Sequence, residues 1–319
     1  MRSHAVLAVL AGSACGRIGF DTDACLGAAE PTVFAANLDR PFHVAADATT
    51  LYWTETTAVM ACSLAGCGDQ PTALASNQAT PGGIAVHAGV VYWANNGDGT
   101  VVSCPAAGCG SPTPIATGQD VPDAVFVDDQ NVYWTDGGNT SNGSVMSCAL
   151  GGCGGNPTQL AAAQPFLSGI VAAAGNVYWT TYYTGTVMAC AIAGCGGQPT
   201  AIASAQYDPA EIAADAVNVY RRNLDGAVQR CALGGCDAPL QIGSGAPVGE
   251  DTGDVAVDAG TVYWTTYDPN GSLHARRSDA GAPSTALACG VYWPRRIAVT
   301  PTAIFLTSYY GGTILQLAR

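Results

Sequence analysis

The chain contains no lysine. All eleven of its basic residues are arginine, and glutamate occurs only at Glu30, Glu55, Glu211 and Glu250. Charged side chains make up 11% of the 319 residues, against about 25% in ordinary soluble proteins. Helical proteins and coiled coils draw on Lys and Glu for their exposed faces, so this scarcity argues against both. The net charge of −13 leaves no basic footprint, which argues against a nucleic-acid partner. The enzyme motifs with a readable mechanism are missing too: there is no Gly-x-Ser-x-Gly elbow, no His-Glu-x-x-His and no phosphate-binding loop. What the chain has is Gly and Pro, close to a fifth of its length, and a hydrophobic content of 48% that excludes global disorder.

At the N-terminus, Arg2 and His4 precede the apolar stretch Ala5 to Gly12, which ends in Gly12-Ser13-Ala14-Cys15. A basic start, a short apolar stretch and small residues read as an export signal, too short to span a bilayer. The small residues before Cys15 resemble a bacterial lipoprotein signal, which implies that Cys15 is lipidated and becomes the first mature residue. A plain secretory signal is the alternative. Residues 1–14 are therefore expected as signal peptide and 15–30 as a linker.

The remainder is repetitive. A Tyr-Trp pair or its equivalent recurs at Tyr52, Tyr92, Tyr133, Tyr178, Tyr220, Tyr263 and Phe305, at intervals of 40, 41, 45, 42, 43 and 42 residues. Around each anchor stand four short segments rich in Val, Ile, Tyr, Trp and Thr, bounded by Gly, Asn, Asp or Pro, which are strand and turn signals. Four strands in about 42 residues is the pattern of a β-propeller blade. Residues 26–319 divide into seven lengths of 42. The last copy, ending at Leu317, lacks its fourth strand, and the chain begins with an unpartnered strand, Pro31 to Ala35. The expectation is an all-β, seven-bladed propeller over residues 31–319, closed by the N-terminal strand in the last blade; the alternative is six blades. Strands are named A to D within each blade, A innermost.

The segments Tyr133-Trp134-Thr135-Asp136, Tyr52-Trp53-Thr54-Glu55 and Pro81-Gly82-Gly83-Ile84-Ala85-Val86 resemble the YWTD-type propeller repeat of the low-density-lipoprotein receptor family. The resemblance implies the fold. That family closes with six blades, and its motif Asp recurs here only at Asp136, so its ligand contacts do not transfer to particular residues.

Ten of the thirteen cysteines form five Cys-x4-Cys pairs: Cys62 with Cys67, Cys104 with Cys109, Cys148 with Cys153, Cys190 with Cys195 and Cys231 with Cys236. Each falls where strand C turns into strand D. A four-residue loop can bring its flanks within disulfide reach. A metal would need four ligands from one neighbourhood, and pairs on separate blades do not meet. Five hairpin disulfides in an oxidising compartment are expected. Cys25 and Cys289 remain; the repeat alignment places them at opposite ends of an outer strand, which argues against ready pairing and leaves a free thiol and an unexpected bond both open.

In a propeller the D–A and B–C loops share one face, and the A–B and C–D loops, with the disulfides, share the other. Residues just before strand A ring the channel mouth on the first face. Blades two to four contribute mostly small residues there. The others contribute His43, Glu211, Asp254, Arg295 and Arg296, next to the out-of-register Trp293. These six are the candidate ligand-binding residues; the opposing expectation is that the charges pair with one another and seal the channel. Irregularities cluster in the same blades: Arg221 replaces the strand B Trp, and Glu250 to Asp254 form an acidic loop. Tyr182-Tyr183, Tyr267 and Tyr309-Tyr310 follow strand B on the same face and suit protein or sugar recognition.

The function expected is non-catalytic binding or scaffolding at a bacterial cell envelope. The protein is expected to be a monomer anchored only through lipid, at the outer membrane or cell surface or in the periplasm. It would take a protein, peptide or saccharide ligand, with no catalytic residue, cofactor or resident metal. The alternatives are an enzyme of lyase or hydrolase type at the channel mouth, with His43, Glu211 and Arg296, and a purely structural surface protein.

Overall fold

Alternating β-branched and aromatic residues between Gly- and Asp-rich turns have one efficient way to bury both faces: short sheets stacked around an axis. The computed structural model describes residues 25, 27–68, 70–137, 140–244, 253–279, 281 and 283–319. Among these, twenty-eight strands form seven four-stranded antiparallel sheets. The inner strands are Val44–Ala46, Pro81–His87, Val125–Val127, Leu167–Ala173, Pro209–Ala214, Val255–Asp258 and Pro294–Val299. The seventh sheet takes its outer strand from the other end of the chain: Thr32–Ala35 pairs antiparallel with Thr313–Ala318, Thr32 opposite Gln316. Seven blades and an N-terminal latch are thus the architecture, and the six-bladed alternative falls. The signal segment and Cys15 lie outside the described residues.

The Tyr-Trp anchor has a divided task. In blades one, three and five the Tyr hydroxyl donates to the A–B turn aspartate: Tyr52 to Asp47 at 2.9 Å, Tyr133 to Asp128 at 2.9 Å and Tyr220 to Asp215 at 2.6 Å. The Trp is fully buried against the preceding blade. In blades two to four its indole N–H donates to a glutamine at or just past the end of that blade's strand D: Trp93 to Gln78, Trp134 to Gln119 and Trp179 to Gln164, at 3.0 to 3.2 Å; Trp53 donates to Glu55 instead. Arg221 sits in the Trp position with the same partner, its Nη2 donating to Gln206 at 2.5 Å and to Gln229 at 2.7 Å. Its burial is complete and pulls its pKa down to about 10.

All five Cys-x4-Cys pairs are disulfides: Cys62 bonds Cys67, Cys104 bonds Cys109, Cys148 bonds Cys153, Cys190 bonds Cys195 and Cys231 bonds Cys236, with Cα atoms 5.4 to 5.7 Å apart. In each pair the first cysteine is buried in strand C, and the second is half-buried on the turn. Each hairpin packs on strand D of the preceding blade. Leu64 and Cys67 lie on Phe34 and Ala35, Ala106 and Cys109 on Leu74 and Ala75, and Leu233 and Cys236 on Ile202 and Ala203. The backbone N–H of Cys236 donates to Ile202 O at 3.0 Å. Contrary to the repeat alignment, Cys25 and Cys289 are also joined, with Cα atoms 6.1 Å apart. The N-terminal segment does not stop at the rim of blade seven. It runs back beside strand D of blade six, where Ala29 N donates to Leu287 O at 2.9 Å, and that route carries Cys25 to Cys289.

Candidate functional site

The mouth residues leave the ladder between strands A and B. The register skips between Pro81 and Ile84, Leu167 and Ile170, Pro209 and Ile212, and Pro294 and Ile297, so two residues per blade bulge out of the pairing. Such bulges re-aim side chains at the rims of closed sheets. In five blades the residue before strand A is pinned by the threonine after the strand B Trp position; blades two and five have Ala94 and Arg222 there. Thr54, Thr135, Thr180, Thr265 and Thr307 accept, at Oγ1, the backbone N–H of His43, Ala124, Gly169, Asp254 and Arg296 at 2.8 to 3.1 Å. Several of the same hydroxyls donate across to the next blade, as Thr54 does to Gly82 O at 3.1 Å and Thr180 to Ala210 O at 2.5 Å. These threonines position the site. The repeated Thr after the Trp position is their signal in the sequence.

The small residues of blades two to four have a steric cause. A Cβ on Gly83 would meet Asp123 O at 2.5 Å, and one on Gly169 would meet Ile212 Cγ2 at 2.9 Å.

The six candidate residues separate into two layers. The inner layer is polar: Arg296 Nη2 bonds Glu211 Oε1 at 2.6 Å, with side chains only 10% and 18% exposed. Arg296 Nε and Nη2 also lie 3.5 and 3.4 Å from His43 Nδ1 and Nε2. Burial first, then the Arg296 and Arg295 charges, hold the His43 pKa well below 6.5, so His43 is a neutral acceptor. Asp254 Oδ2 accepts Ile297 N–H at 2.8 Å and Oδ1 accepts Val255 N–H at 2.8 Å. Burial pushes the Asp254 carboxyl up to about 7; Arg296 opposes the shift and Glu211 adds to it. Among the described residues, no group of three or more His, Cys, Asp or Glu is arranged to hold a metal ion.

The outer layer is aromatic. The Arg295 guanidinium lies over Phe42 at 4.1 Å, Tyr309 at 5.2 Å and Tyr267 at 5.6 Å, and its Nη1 donates to Tyr267 Oη at 3.4 Å. Trp293 stands edge-on to Tyr267 at 4.8 Å and to Tyr310 at 5.5 Å. Over blade four a second aromatic group forms: Tyr183 packs on Phe166 at 4.7 Å and on Tyr182 at 4.8 Å. Of the acidic loop, Gly253 and Asp254 are described; Glu250, Asp251 and Thr252 lie outside the described residues.

No protein-family model matches the chain, and no curated protein does. Solved structures match in fold. Virginiamycin B lyase from Staphylococcus aureus superposes with a TM-score of 0.73 at 13% identity, covering 91% of this chain and 99% of that one. A catalytically inactive histidine-to-alanine form of that lyase, solved with quinupristin, gives 0.70 at 13%, covering 91% and 98%. A chain of a nidogen/laminin complex gives 0.53 at 19%, covering 65% and 80%. Identities this low speak to fold alone.

Proposed function

We propose that this protein is a non-catalytic recognition module that takes its ligand on the face built from the D–A and B–C loops. One observation carries the reading. Tyr183, Tyr207, Tyr292 and Tyr310, 50 to 67% exposed, are the exposed large aromatics among the described residues, and all four lie on this face. Exposed Tyr and Trp are costly to leave in water and are the side chains that binding surfaces concentrate. The channel beneath them is occupied by the protein's own Arg296–Glu211 pair. The test passes the purified protein over immobilised envelope glycans and envelope proteins. Retention is expected for wild type and for Val217→Ser, on the opposite face, and is lost in Tyr183→Ala/Tyr310→Ala. Equal retention of all three overturns the reading.

Enzymatic action at the mouth is the second reading. It is favoured by the near-neutral Asp254 beside Glu211 and Arg296 and by the lyase folds above. Incubation with quinupristin decides it: a product that forms with wild type and not with Asp254→Asn would displace the binding reading.

Export to the envelope with a lipid on Cys15 belongs to the same proposal. The six disulfides consume twelve of the thirteen cysteines, leaving Cys15 with no partner in the chain, and bonds of this kind persist in oxidising compartments. Intact mass of the protein recovered from cells tests it. Loss of residues 1–14 with a diacylglycerol-sized addition supports it, and an unlipidated chain overturns it.

A further inference from the structure

The residue two or three positions before the mouth bulge is left-handed in blade after blade: Arg40, Thr80, Val121, Phe166, Asp208 and Trp293 have φ between 45° and 57°. Their recurrence makes this a property of the repeat and not a strain peculiar to Trp293. It fixes a side chain on the loop-bearing face of each of these blades. Only in blades four and seven is that residue aromatic, and only in those two blades does strand B run into a Tyr-Tyr pair, Tyr182-Tyr183 and Tyr309-Tyr310. The two changes meet in space: Phe166 packs on Tyr183 at 4.7 Å, and Trp293 on Tyr310 at 5.5 Å. The repeat thus departs from its pattern twice in the same way. In a ring of seven, blades four and seven stand on opposite sides of the mouth.

We infer that these are two stacking platforms for one neutral oligosaccharide chain laid across the channel mouth, each platform holding a pyranose ring. The inference rests on the recognition face proposed above and names its ligand class. The chemistry favours a saccharide in three respects. Tyr183 and Tyr310 are 67% and 59% exposed, held edge-to-face by their neighbours, and so offer rigid ring surfaces to the apolar C–H face of a sugar. A peptide is held by anchors inserted into buried pockets, whereas Tyr183 and Tyr310 are themselves exposed rings. The net charge of −13 repels anionic polymers, and the Arg295 cation is already engaged by Phe42, Tyr267 and Tyr309. Two platforms on one chain act by avidity, so affinity should rise steeply with ligand length.

Calorimetric titration with cellohexaose, chitohexaose and mannohexaose, each beside its disaccharide, provides the test. At least one hexasaccharide should bind ten-fold or more tightly than its disaccharide. Tyr183→Ala and Trp293→Ala should each return the hexasaccharide to the disaccharide value, while Tyr183→Phe, which keeps the ring, retains the advantage. Unchanged thermal unfolding of the variants shows that the propeller is intact. Failure of all three hexasaccharides to bind, or a length advantage that survives Tyr183→Ala, overturns the inference. If the face instead retains an envelope protein in a Tyr310-dependent way while ignoring the sugars, the saccharide inference falls and the recognition face stands. Hexasaccharide binding indifferent to both platforms removes both.

Discussion

Blades one to five and blades six and seven solve the same problem with different chemistry. At five of the seams, a carbonyl on strand D of one blade is approached from outside its own sheet. Where the next blade is three, four or five, its disulfide hairpin supplies the cover: the sulfur of Cys153 or Cys195 or the N–H of Cys236 approaches Ile115 O, Leu160 O or Ile202 O. Blade six has Arg276 where the others have their first cysteine, paired across to Val262, and Arg276 Nη1 donates to Ile242 O at 2.7 Å. Blade seven has Leu317 there, paired across to Ile304. Ala29 N covers Leu287 O instead, and Cys25–Cys289 holds Ala29 in place. Each of these carbonyls is covered, by a disulfide hairpin packed over it or by an N–H donor from Arg276 or Ala29.

The largest expected difference is between the two kinds of disulfide. Each hairpin bond closes a ring of about six residues, for which the chain-entropy account gives about 2 kcal/mol. Cys25–Cys289 spans 264 residues, which on the same account gives about 5 to 6 kcal/mol. It also locks the strand that closes the ring. Replacing Cys25 and Cys289 together by Ser should therefore lower the denaturant midpoint far more than replacing Cys104 and Cys109 together by Ser. Equal losses would show that ring closure does not depend on the staple and that the hairpins and the latch are equivalent.

The mouth sharpens the comparison through pH. Asp254 keeps its proton more tightly in the folded state than in the unfolded chain, because burial raises its carboxyl from 3.8 to about 7. Its contribution is complete below the unfolded value and is lost as pH rises through about 7. His43 has the opposite sign: with its folded pKa lowered, its contribution is present above 6.5 and is lost as pH falls towards the folded value. Asp254→Asn, which keeps an acceptor for Ile297 N–H, should remove the first trend and leave the second. Measured by chemical unfolding from pH 4 to 8, the variant should gain on wild type as pH rises, by at most about 4 kcal/mol. Parallel curves would mean that the inner layer is solvated and carries no electrostatic strain.

The comparison also explains what could be read in advance. The blade count, the latch and the hairpin bonds follow from spacing alone, because a 42-residue period, a missing fourth strand and five identical Cys-x4-Cys loops each admit few geometries. The charged mouth residues were visible for the same reason: they occupy one column of the repeat. The Cys25–Cys289 bond was hidden because alignment assigns Cys25 to blade seven, and nothing in the residues between 25 and 31 announces that they turn back along blade six. The split of the candidates into a polar floor and an aromatic rim was hidden as well. Arg295 and Arg296 are adjacent in sequence, yet the bulge points one at Phe42 and the other at Glu211.

Arg276 gives the smallest effect and the most local one. A hydrogen bond from a charged donor to a carbonyl contributes about 1.5 to 3 kcal/mol. Arg276 is half-buried, so part of that is recovered from water when the bond is lost, and Arg276→Ala should cost about 1 kcal/mol. If Arg276 stands in for a hairpin cysteine, the damage should stay at the seam of blades five and six. Amide hydrogen exchange along Leu240–Gly243 should quicken, while exchange at Thr113–Ala116 and Thr200–Ala203, under intact disulfide hairpins, should not change. Uniform acceleration in all three outer strands would mean that the ring opens as one unit and that the seams are not separable. No acceleration at Leu240–Gly243 would mean that the Ile242 carbonyl needs no donor, and the equivalence of arginine and disulfide would be lost.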